Sequence, residues 1–143
     1  METVSAEAGF REIDHTADWE LELWAPDLEG VMEEAARGMY DLCGLTYGGE
    51  VQASRRFEID QPDRETLLVR FLSECLYHLQ TDQIAFERFD FEFRDGEEDP
   101  LVSVFAMGRP VDTVQTEIKA VTWHNVAVDE TEDGYTGRVT FDV

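Results

Sequence analysis

Lysine is almost missing from this chain: of its 11 basic residues ten are arginine, and Lys119 is the single lysine. Cysteine is scarce as well. Cys43 and Cys75 form no CxxC pair, so neither a zinc ribbon nor a dithiol redox motif is supported, and both thiols fall on apolar helical stripes where they read as inert core residues. No apolar run approaches the roughly 18 residues that a membrane-spanning helix needs. The opening METVSAEAG has no charged-then-apolar signal pattern, and the expected location is cytoplasmic. Phosphate loops of the GxxxxGK[ST] type, GxGxxG fingerprints, HExxH helices and GxSxG elbows are all absent. An autonomous NTPase, dehydrogenase, zincin or serine hydrolase therefore has no sequence support.

What is present is acid. Asp and Glu total 33 against 11 Lys and Arg, a formal net charge of -22 with a pI near 4.2. Such a surface repels phosphate and anionic lipid, which disfavours tight direct binding to nucleic acid or membranes. The carboxylates are spread along the chain, not gathered in a tail. Dispersed acid with one lysine suggests a halophilic protein, adapted to a concentrated-salt cytosol where the Debye length shrinks to about 3 Å at 1 M.

The 143 residues suit one domain, and nine Phe, four Tyr and three Trp supply a core. Residues 1–9 lack periodicity and read as a flexible leader to a domain spanning 10–143. Phe10–Ile13 starts a strand, and Trp19, Leu21 and Leu23 alternate with Glu20 and Glu22 in a half-buried one. Asp27 is an N-cap for a helix carrying Leu28, Val31, Met32, Ala35, Met39 and Leu42 on one face, with Gly44 past its end. Strand returns over 51–60. A second helix from Asp63 carries Leu67, Leu68, Phe71, Leu72, Cys75, Leu76 and Leu79. Everything after Asp82 reads as β, with a DGEEDP turn before Leu101–Met107 and an EDG turn joining Lys119–Val128 to Tyr135–Val143. The order β-β-α-β-α-β-β-β-β predicts an α+β domain, two helices packed on a mixed, largely antiparallel sheet.

The residues that could carry chemistry sit at strand ends. Asp14-His15-Thr16-Ala17-Asp18 offers two carboxylates that could be hard ligands for Mg²⁺ or Ca²⁺; equally, Asp and Thr at a turn satisfy backbone groups. Lys119 invites a role as a point charge for phosphate or carboxylate, set against chance survival. Strand alternation puts Val121 and Trp123 on its face, and puts His124 on the face of Thr122. A lone strand histidine is more often structural than a ligand. Asp142 falls opposite Val139 and Phe141, either as a solvated strand end or, with the Val143 carboxylate and Asp18, as part of a cation cluster.

Taken in order, DHTAD near the start, IKAVTWH near residue 120 and the closing VTFDV resemble the archease family, a likeness that extends over residues 10–143 and both helices. The resemblance implies a small α+β protein that is not itself an enzyme. Its expected role is to activate an RtcB-type RNA-splicing ligase, in tRNA splicing among other repairs, by promoting ligase guanylylation and multiple turnover. It implies a divalent metal, Ca²⁺ or Mg²⁺, on Asp18, Asp142 and the Val143 carboxylate. Asp14, His15, Lys119 and His124 are then expected around the metal or against the partner. Three departures stand out: Trp19-Glu20 replaces a small or aliphatic pair, Trp123 stands where Tyr is common, and the segment before IKAVT is short. The competing readings are a stand-alone metal-dependent enzyme acting on a small phosphorylated substrate and a chaperone-like binding protein. The salt adaptation is tested by circular dichroism: the folded signal should fade as salt is withdrawn, and full folding in low-salt buffer without divalent ions contradicts it.

Overall fold

A computed structural model describes residues 7–13, 18–60, 62–94 and 101–143. Asp14, His15 and the DGEEDP turn lie outside the described residues. Eight strands and two helices follow the order β1 (Gly9–Ile13), β2 (Trp19–Ala25), α1 (Leu28–Cys43), β3 (Leu45–Tyr47), β4 (Ala53–Asp60), α2 (Arg64–Asp82), β5 (Ile84–Arg94), β6 (Leu101–Val114), β7 (Ala120–Thr131) and β8 (Gly134–Asp142). This is the α+β domain expected, with its strands divided between two sheets. One sheet runs β1-β2-β8-β7. In the other, the long β6 pairs with β5 along one edge and with β4 and then β3 along the other. Every pairing among the described strands is antiparallel. The first strand takes in Gly9, one residue earlier than the sequence pattern suggested.

Both helices begin where an aspartate can cap them. Asp27 accepts from the Gly30 N–H and Asp63 from the Thr66 N–H, each at 2.7 Å, which satisfies donors that the first turn leaves unpaired. Gly44 ends α1 in the left-handed region at φ 63°, where a side chain is disfavoured. The apolar faces of the helices then close on the sheets, burying Met32, Met39, Leu68, Phe71 and Leu72 completely or nearly so. Cys43 and Cys75 are free and buried. Burial pushes the Cys43 thiol up to about 11 and Cys75 higher still, so neither is a ready thiolate. His78 is structural as well, bonded to Asp82 at 2.8 Å and stacked on Phe57.

Two features depart from a regular alternation. At Gly108 the backbones of β5 and β6 approach so closely that a Cβ would land against the Ala85 carbonyl oxygen, beside the register shift between Phe86 and Arg88. In β7 the register jumps from Thr122↔Thr140 to Ala127↔Arg138. Residues 123–126 thus oppose only Val139 and bulge from the strand. Trp123 consequently does not share the inward face of Val121, as simple alternation suggested; it is 57% exposed. Gly108→Ala should cost about 2–3 kcal/mol, because the obstacle is main chain that cannot turn aside. Urea unfolding checks this, and an unchanged midpoint would show that the strands can separate freely there.

Candidate functional site

The strand ends that carry Asp18, Lys119 and Asp142 are neighbours because β8 lies between β2 and β7. Trp19 pairs with Phe141, and Phe141 with Val121. Phe141 is completely buried. Period-two alternation therefore turns the next residue of each strand outward: Asp18 precedes Trp19, Asp142 follows Phe141, and both lie at the same end of adjacent strands. Ala120 is opposite Asp142, and the Lys119 N–H donates to the Asp142 carbonyl at 2.7 Å. Ile118, buried at 1% exposure, anchors the approach to Lys119, and its carbonyl accepts from Gln80 Nε2 at 3.0 Å. Asp142 and Lys119 are exposed, while Asp18 and Val143 are half-buried.

The cations of the chain are largely committed elsewhere. Arg37, Arg55, Arg64, Arg70, Arg94, Arg109 and Arg138 each pair with a carboxylate, and Arg11 with Glu22. Lys119 makes no ion pair among the described residues, so its ammonium is available to an incoming group. Side-chain donors at this end are two carboxylates, an all-oxygen set suited to a hard cation. Among the described residues no three His, Cys, Asp or Glu side chains cluster to hold a metal. Beyond the Asp18 and Asp142 carboxylates, a cation here would draw on main-chain or terminal oxygens.

Behind this end runs a polar row that alternation alone does not predict. Glu20, Thr140 and Thr122 are lateral neighbours on the outward face, yet Glu20 and Thr140 are each only 2% exposed. Arg138 reaches Glu20 Oε2 at 3.3 Å and Glu22 Oε2 at 3.5 Å. Alternation puts Glu20 on the face opposite Leu21 and Leu23, and only the register reveals its burial beside Arg138. His124 lies in the β7 bulge, not on a continuous strand face with Thr122. Its N–H donates to Thr122 Oγ1 at 3.3 Å, and Asn125 Nδ2 lies 3.2 Å from its Nε2.

Two grooves elsewhere on the described surface include none of Asp18, Asp142 and Lys119. One, of about 490 Å³, lies beside the bulge and is lined by Glu22, Trp24, Asn125, Asp129, Thr136 and Arg138 among others. The other, of about 600 Å³, runs between α1 and β5 past Phe10, Glu33, Arg37, Tyr40 and Tyr47. Burial there raises the Glu33 carboxyl above its usual range, against the opposing pull of Arg37.

Asp18, Lys119 and the closing strand thus meet at one end of a single sheet, and comparison with known proteins gives the arrangement a family. The Archease protein family (MTH1598/TM1083) matches residues 10–143. The chain belongs to the archease family. It is similar to protein archease of Methanosarcina barkeri, 32% identical over 136 residues that cover 92% of this chain and 93% of the relative. It is also similar to protein archease of Archaeoglobus fulgidus, 32% identical over 135 residues covering 94% and 98%. The solution structure of Methanobacterium thermoautotrophicum protein 1598 superposes with a TM-score of 0.78 at 30% identity, covering 94% of this chain and 99% of that one. A Thermotoga maritima crystal structure, described as an archease and possible chaperone, shares the fold with a TM-score of 0.69 at 22% identity, over 93% and 96%.

The buried pair generates a prediction about order. Arg138→Met removes a cation from a buried carboxylate and should cost about 1–3 kcal/mol. Glu20→Gln removes the charge itself and should cost less. Thermal melts check the ranking, and the reverse order contradicts the account of Glu20.

Proposed function

We propose that this archease-family protein is a non-catalytic activator of an RtcB-type RNA-splicing ligase, promoting its guanylylation and repeated turnover in the cytoplasm. In this reading Asp18, Asp142 and the Val143 carboxylate hold one Ca²⁺ or Mg²⁺, and the Lys119 ammonium stands beside them. The observation that carries the reading is the meeting of three distant segments at one strand end, fastened by the Lys119 N–H bond to the Asp142 carbonyl. A divalent ion bound there would supply charge neutralisation for phosphoryl oxygens. The residues of the chain do the rest: the carboxylates orient, and Lys119 offers charge-assisted hydrogen bonds to a phosphate that arginines locked in pairs do not.

A net charge of -22 makes the protein a poor RNA ligand and favours docking on a basic protein surface by steered association. A chaperone-like role is the second reading, favoured by the description of the Thermotoga relative as a possible chaperone. Purified protein incubated with GTP and a divalent ion, with and without the ligase, separates the possibilities. Label transfer to the ligase that rises only when both proteins are present supports activation. Turnover by the protein alone would make it an enzyme in its own right.

Two variants test the residues. Calorimetric titration with Ca²⁺ or Mg²⁺ should show one site in the parent and none in Asp18→Ala or Asp142→Ala; unchanged binding sinks the metal assignment. Lys119→Met keeps the apolar stem and should leave the melting temperature within about 2 °C while abolishing guanylylation. Full activation by Lys119→Met would make the lone lysine an accident of composition.

A further inference from the structure

We infer that the bulge of β7, residues 123–126, is the apolar anchor that seats the partner protein, with Trp123 entering a pocket on the partner rimmed by arginine or lysine. The inference rests on the activator reading and names the surface through which it acts.

The sheet order leaves β7 at an edge, where a bulge interrupts only the pairing with β8 and its outer side can face another molecule. Four residues stand against one partner residue, Val139, between the pairs Thr122↔Thr140 and Ala127↔Arg138. The excursion is held in shape. Thr122 Oγ1 accepts the His124 N–H, Asn125 turns the chain through the left-handed region at φ 56°, and Val126 packs back against the core. What this device presents is Trp123. At 57% it is the most exposed of the large apolar side chains among the described residues.

The comparable exposed rings are already engaged. Arg109 lies 5.0 Å from the Tyr47 ring centre, and Tyr77 meets His78 edge-on at 5.2 Å. Trp123 has no ring or cation contact among the described residues. Val126 serves the core, but the exposed Trp123 indole does not, and folding alone gives no reason for a large apolar ring there. A partner that buries the indole gains the kind of anchor that dominates interface energetics.

Charge identifies the partner's chemistry. The groove beside the bulge carries Glu22 and Asp129, and its one cation, Arg138, is already paired with Glu20 and Glu22. Asn125 adds an amide at its rim. Such a groove accepts a basic side chain, so an apolar pocket flanked by arginine or lysine complements both features. The same acid disfavours a phosphate backbone.

The test is the affinity of the purified cognate ligase for the parent, Trp123→Ala, Trp123→Phe and Tyr77→Ala, each paired with a thermal melt. Trp123→Ala should melt like the parent and bind about 30- to 100-fold more weakly, the scale of an interface hot spot. Trp123→Phe should fall between them, and Tyr77→Ala, an exposed ring on α2, should bind like the parent. Guanylylation by Trp123→Ala should recover as its concentration is raised, unlike that by Lys119→Met. If the parent binds and activates the ligase while Trp123→Ala binds equally well, the anchor is wrong and the activator reading stands. A parent that neither binds nor activates the ligase overturns both. Weakened binding to RNA, with ligase binding unchanged, overturns the protein-partner assignment.

Discussion

The arrangement of the candidate site depends on the register of β8 between β2 and β7. Phe141 sets it: completely buried, it pairs with Trp19 on one side and Val121 on the other. Because side chains alternate with a period of two, sliding β8 by one residue would turn Asp142 into the core and Phe141 into water. The cost of exposing that ring and burying a carboxylate is several kcal/mol. The apolar core thereby fixes where the polar strand ends lie, and the Lys119 N–H to Asp142 carbonyl bond carries the same register into the approach to β7.

Ion pairs are spread over both sheets and both helices. With 33 acidic residues, the chain uses most of its arginines to neutralise neighbouring carboxylates, several across strands, as Arg138 does for Glu20 and Arg94 for Glu58. The pairs relieve self-repulsion locally, and their guanidinium forks suit planar carboxylates. Lys119 is the contrasting case: a compact charge on a flexible stem, exposed and outside those pairs. In the function we propose, that ammonium and the carboxylates of Asp18 and Asp142 would meet phosphate and metal together, whereas the surrounding acidic surface repels phosphate.

Much of the fold was legible in the sequence, and for physical reasons. Both helices announced themselves through stripes at a spacing near 3.6 and through Asp27, Asp63 and Gly44 at their ends. Strand β3 did not, because three residues of which two are exposed carry no alternation. The bulge was hidden too: Val121 to Val126 reads as a continuing strand, and only Asn125, a residue tolerant of the left-handed region, hinted at a break. The burial of Glu20 and Thr140 was invisible because outward-facing residues become buried only through tertiary covering. The residues alone offer Asp18 with Asp142 only as one alternative, and the family resemblance singles it out, since spacing cannot say which strand ends meet; the register brings Asp18, Lys119 and Asp142 to one end of adjacent strands. The expected contributions of Asp14 and His15 fall outside the described residues.

The most direct measurement on the proposed site is anomalous diffraction from crystals grown with Mn²⁺, which scatters strongly and takes the same oxygen ligands as Mg²⁺. The account predicts one strong peak at the shared end of β2 and β8, about 2.0–2.6 Å from carboxylate oxygens of Asp18, Asp142 and Val143. An ordered, ion-free strand end in those crystals, or a peak held by other carboxylates of the acidic surface, would contradict it.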